Sequence, residues 1–317
     1  MSINISDNDH HEHSESLRDK RGQIHVAADN TLLDSRKGIR AVKWSFAGLF
    51  LTAALQGVVV VFSGSIALFA DTIHNFGDAA TALPLWIAFA AAGWKPNKKF
   101  TYGYGRVEDL AGIAIVLTIL LSAVIAGYES VHRLFHPQTV GHLWAVMFAG
   151  VIGFTGKEAV AQFRLKTGRE IGSAALVADG YHARMDGLTS LGVFFGTIGV
   201  WAGFPLADPV IGLVITVMIL KIAWDCAKAV FLRVLDGVDP GVVEEIEHSV
   251  THVNGVEGIS DVRVRWVGHR LHAEANIAVK SSLSVEEGHM IANEAQQQIL
   301  NHLKYLSNAT IHIDPVK

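Results

Sequence analysis

The chain has 317 residues, 50% of them hydrophobic and only 18% charged, with a formal net charge of -4 and a mean hydropathy of +0.32. That charge excludes a basic nucleic-acid binder, and a single cysteine, Cys226, excludes an intrachain disulfide or a cysteine-based metal cluster. The apolar excess is concentrated between Ala41 and Phe231, so the composition describes a membrane-embedded middle flanked by hydrophilic ends.

The first 35 residues are rich in His, Asp, Glu and Ser, the opposite of a secretory leader. Within residues 1–37, Asp9-His10-His11-Glu12-His13 forms a His-bearing tail able to capture metal loosely. Six stretches then reach the ~20 apolar residues needed to cross a bilayer. They are Ala41–Phe62, Ser65–Gly93, Val107–Val131, His142–Gln162, Ile171–Gly203 and Leu206–Phe231. Breaks are expected at Ser63-Gly64-Ser65, Trp94-Lys95-Pro96-Asn97, His136-Pro137, Lys166-Thr167-Gly168-Arg169 and Gly203-Phe204-Pro205.

Basic residues cluster before the first stretch, between the second and third, between the fourth and fifth, and after the sixth. By the positive-inside rule both ends of the chain face the cytoplasm of a plasma-membrane protein, with Trp94, Trp144 and Trp201 as interfacial anchors.

After Asp236-Gly237-Val238-Asp239-Pro240 the pattern becomes that of a small soluble domain, residues 236–317. Val242–His252 reads as a helix, Ile259–Val267 and Leu271–Val279 as strands, Ser284–Tyr305 as a helix capped by Ser284, and Ala309–Ile313 as a closing strand. The expected fold is therefore a six-helix membrane domain, residues 38–235, followed by an αββαβ unit of ferredoxin-like type.

Ionisable residues inside apolar helices carry the chemistry, because each costs on the order of 3 kcal/mol at the bilayer centre and so has a polar role. The second stretch contains His74-x-x-x-Asp78 and the fifth His182-x-x-x-Asp186. Spacing of four puts both side chains on one helix face. Two such pairs at similar depth supply four N/O ligands, a set that suits tetrahedral zinc. The bland reading of either pair is an internal hydrogen bond, or Asp186 neutralising Arg184; identical spacing in two helices argues for ligation. Glu108, Asp109 and Glu129 are expected to pair with basic residues at the ends of the third helix. Lys157, Glu158 and Asp208 are expected to pair between helices.

The segments Ala67-Leu-Phe-Ala-Asp-Thr-Ile-His-Asn-Phe-Gly-Asp78, Asp179-Gly-Tyr-His-Ala-Arg-Met-Asp-Gly-Leu-Thr-Ser-Leu-Gly-Val193 and Pro205-Leu-Ala-Asp-Pro-Val-Ile-Gly-Leu213 resemble the signatures of the cation diffusion facilitators. The resemblance covers about residues 38–317. It implies a homodimeric exporter that exchanges cytoplasmic divalent metal for protons, with His74, Asp78, His182 and Asp186 as transport ligands and no resident cofactor. Zinc is the favoured cargo, with cobalt and cadmium plausible and nickel or iron less so. In the soluble domain His289, His312 and Asp314 match the family's ligand positions, whereas Ser260 and Asn276 stand where relatives carry His. His269 and His272 are nearby candidates to compensate. The loop ligands of some relatives are missing from Phe100-Thr-Tyr-Gly-Tyr-Gly-Arg106. A membrane metalloenzyme, the rival class, would need a general base and an open metal position, and no His-Glu-x-x-His motif occurs.

Overall fold

A computed structural model describes residues 8–63, 72, 82–136, 143–204 and 206–316, with side chains from Leu33 onward. The chain divides into two compact units, one of Arg36–Pro240 with Val264–Arg270, the other built on Gly241–Arg263 and Leu271–Lys317.

The first unit is helical. Its helices are α1 (Asn8–Ser63), α2 (Ala82–Ala92), α3 (Arg106–Phe135), α4 (Leu143–Ile171), α5 (Ala174–Trp201) and α6 (Ala207–Val234). Of the described helices, four are long and apolar enough to cross a membrane: α1 over Leu33–Phe62, and α3, α4 and α6. α5 has the length, but its ionisable residues dilute the apolar signal. The second expected stretch is described only as Thr72 and Ala82–Ala92. Trp44, Phe50, Leu121, Phe148 and Trp224 point outward, as they do where lipid replaces water. The expected anchors Trp94, Trp144 and Trp201 are likewise exposed.

Helix ends follow backbone chemistry. Gly203 adopts φ +93° between α5 and α6, a conformation open to glycine at no steric cost. His136 closes α3, donating its N–H to the His132 carbonyl at 3.0 Å. One expected break was misplaced. Lys166-Thr167-Gly168-Arg169 lies inside α4, and the turn falls at Gly172, φ +73°, and Ser173. The reason is close packing. A Cβ on Gly168 would come within 2.9 Å of the Val177 nitrogen, so the glycine admits α5 rather than ending α4.

α5 is the central helix. Leu176, Ala178 and Met185 join a core with Leu85 and Phe89 of α2, Ile119 of α3, Ile171 of α4 and Ala223 of α6. Against α4 the approach is tighter still. A Cβ on Gly180 would sit 2.8 Å from Leu165, and one on Gly153 2.8 Å from the Ser190 hydroxyl.

After α6 come α7 (Pro240–Thr251), β1 (Gly258–Val267), β2 (Arg270–Val279), α8 (Val285–His302) and β3 (Leu306–Pro315), the expected αββαβ order, with the β1–β2 tip, Val264–Arg270, counted in the first unit. The sheet order is β1-β2-β3. β1 and β2 are joined by Gly268-His269 alone, which only an antiparallel hairpin permits. β2 runs parallel to β3, with Asn276 opposite His312. Along β2 the alternate residues Leu271, Ala273, Ala275, Ile277 and Val279 are buried, and Gly288, Ala292, Ala295 and Ile299 are the buried positions of α8. Ser284 caps α8 in a reciprocal box with Glu287, as its sequence position suggested. The helix ends at His302, three residues before the expected Tyr305.

Candidate metal centre

The fifth helix places its two expected ligands by simple means. Ser173 accepts a hydrogen bond from the Leu176 nitrogen at 3.0 Å and starts α5. Two turns later His182 and Asp186 share a face, with Nδ1 3.6 Å from Oδ2 and side chains 4% and 13% exposed. Neither ring nitrogen of His182 has a hydrogen-bond partner among the described residues. A buried polar group in that condition costs about 1–3 kcal/mol, so the position calls for a ligand or a partner. His74 and Asp78 lie outside the described residues.

The arginine on the same helix is already matched. Arg184 grips Glu158 of α4 with two hydrogen bonds, Nε to Oε2 at 3.1 Å and Nη2 to Oε1 at 2.7 Å. Asp186 is therefore not needed to neutralise Arg184, and the expected interhelical role of Glu158 is met. Asp208 meets Arg133 at 3.1 Å, and Glu129 meets the same guanidinium at 2.9 Å.

Arg164 corrects the reading of the fourth connection. Sequence placed it with the loop cations, yet it is buried in α4, with Nη1 2.9 Å from Asp179 Oδ2 and side chains 1% and 0% exposed. An Asp three residues before His182 on the same helix was the available signal; it marks a residue on that face with no water to solvate it.

At the end of the β1–β2 hairpin, His269 places Nδ1 2.7 Å from Glu108 Oε2, with side chains 3% and 2% exposed. Its ring also lies 6.0 Å from that of Phe89. His269 is thus anchored to α3 through Nδ1. Glu108, expected to pair with a basic loop residue, finds this imidazole instead. Arg106 reaches both Asp109, at 3.8 Å, and Asp236.

Of the three expected C-terminal ligands, the structure joins two. His312 Nε2 is 3.3 Å from Asp314 Oδ1, at 66% and 47% exposure. His289 is exposed on α8, and His272 Nε2 lies 3.3 Å from the Ser307 hydroxyl. Among the described residues no three His, Cys, Asp or Glu side chains converge as a cation site.

Residues 42–235 match the family model of the cation efflux transmembrane domain, and residues 238–316 that of the cation efflux protein cytoplasmic domain. The chain belongs to the cation diffusion facilitator family. A probable cation efflux system protein of Mycobacterium tuberculosis is 50% identical over 92% of this facilitator and 88% of the relative. An uncharacterized transporter of Methanocaldococcus jannaschii is 28% identical over 86% of the chain and 96% of its own. A manganese efflux system protein of Bacillus subtilis is 23% identical over 79% and 87%. This facilitator is accordingly a multi-pass membrane transporter that exports metal cations, and not an enzyme.

Proposed function

We propose that this facilitator exports zinc from the cytoplasm in exchange for protons, through an intramembrane site of His74, Asp78, His182 and Asp186. The observation that carries the proposal is the buried His182 imidazole, unpartnered among the described residues and beside the Asp186 carboxylate. Two imidazoles and two carboxylates favour zinc, then cobalt and cadmium; manganese, for which one relative is named, prefers all-oxygen sets. The proposed chain has six spans, both ends in the cytoplasm and a homodimeric assembly; the distribution of Lys and Arg supports the orientation.

Metal binds neutral imidazole and ionised carboxylate, so loading the site releases whatever protons those groups held. Imidazole is the side chain that exchanges protons near neutral pH, which makes His74 and His182 the carriers. An acidic exterior protonates the site and expels metal, and the protonated carrier returns to a cytoplasm that restores the ligands. Purified protein in sealed vesicles tests this. Zinc export should quicken when the exterior is the more acidic side and vanish in Asp186→Asn. Equal flux with and without a pH gradient, and no proton release on zinc binding, would refute antiport.

A further inference from the structure

The last turn of α7 and the residue that follows it carry His248 and His252, four residues apart and both exposed. Neither belongs to the ligand set read from the sequence. Their ring centroids are 4.4 Å apart, so one small ion can reach both. His252 Nδ1 lies 2.7 Å from the His248 carbonyl oxygen. A carbonyl only accepts, so the proton of the neutral ring sits on Nδ1 and the lone pair on Nε2. That is how imidazoles that ligate metals are oriented, with the remote nitrogen anchored by a backbone carbonyl.

The surroundings favour a cation. Glu244 and Glu245 lie one turn before His248, both exposed, and the pair stands at the C-terminal end of the helix, where the macrodipole is negative. Thr251 secures that last turn by donating its hydroxyl to the carbonyls of Glu247 at 3.0 Å and His248 at 2.9 Å. The other histidine pair at this spacing, His132 and His136 at the end of α3, differs in having Arg133 between its members, which holds the preceding Glu129.

We propose that His248 and His252 form a second, surface metal site, a two-imidazole chelate for a borderline divalent cation of the zinc class, completed by water. Imidazole ligands select such ions over magnesium or calcium. The site binds independently of transport through the membrane.

Histidine modification by diethyl pyrocarbonate, mapped by mass spectrometry on the full chain with Zn2+ alone, is the direct test. Zinc should protect His248 and His252 in parallel, with one shared midpoint. His302 is the internal control, since it too is exposed and bonded from Nδ1 to a carbonyl, that of Gln298 at 2.8 Å, but has no second imidazole at this spacing. In equilibrium dialysis His248→Gln, His252→Gln and the double variant should each lose the same zinc, with affinity falling about 10-fold or more because chelation needs both arms. Protection no better than that of His302, separate midpoints, or losses that add between the single variants would overturn the proposal.

Discussion

Arg164 of α4 and Asp179 of α5 face each other at 2.9 Å with almost no solvent contact, and they do so within one turn of His182. A buried pair contributes little net stability when intact, but losing one partner leaves an uncompensated charge at a cost of about 3–5 kcal/mol. Asp179→Asn should therefore lower unfolding stability sharply. The double variant Arg164→Met with Asp179→Leu should recover most of it. A double variant that loses the sum of the two single losses would show that the two residues act separately.

Selectivity tests the membrane site. His74→Asp exchanges a borderline nitrogen donor for a hard, charged oxygen and should shift preference toward manganese or cadmium. Competition transport assays in vesicles give the order of metals. An unchanged order would remove His74 from the ligand set.

The contact between His269 and Glu108 predicts an asymmetry between two substitutions. His269→Ala leaves the Glu108 side chain buried without its 2.7 Å partner, costing about 1–3 kcal/mol. Glu108→Gln keeps the shape and a hydrogen-bonding oxygen and should cost less. Thermal unfolding of the purified variants in detergent reads the difference, and equal losses would contradict the assignment.

The cap of α8 has a pH signature. Hydrogen bonds from the Ser284 backbone and hydroxyl hold the Glu287 carboxyl below its ordinary value of 4.5. A depressed acid contributes its full stabilisation above the ordinary pKa and loses it as pH falls through the lowered one. Amide exchange at Glu287 and Gly288 should be slower in the parent than in Ser284→Ala at neutral pH. The gap should close as the pH falls below 4.5. A gap that persists unchanged in acid would assign the protection to the Ser284 hydroxyl alone.

Much of this was legible because its signals are local. Apolar runs marked the helices, and alternation along Leu271–Val279 marked the central strand. Ser284 announced its helix, and spacing of four singled out His182 and Asp186. What escaped depends on partners distant in sequence. Gly168 reads as a breaker until Val177 is seen pressed against it, and Arg164 reads as a loop cation until Asp179 is found opposite. The anchor of His269, Glu108, lies 161 residues away, so nothing near the histidine in the chain reveals it.

The fork between Arg184 and Glu158 has an electrical consequence. Arg164 and Arg184 each have their own carboxylate, so neither adds net charge to the site. In the proposed cycle one divalent ion leaves with two neutral imidazoles behind it, and two protons return in its place. The charge at the site is the same on both journeys. A potassium diffusion potential set across the vesicle membrane should therefore leave zinc flux unchanged at fixed pH gradient, since moving one uncompensated charge would cost about 2.3 kcal/mol per 100 mV. Flux that follows the imposed voltage would mean that loaded and protonated carriers differ in charge.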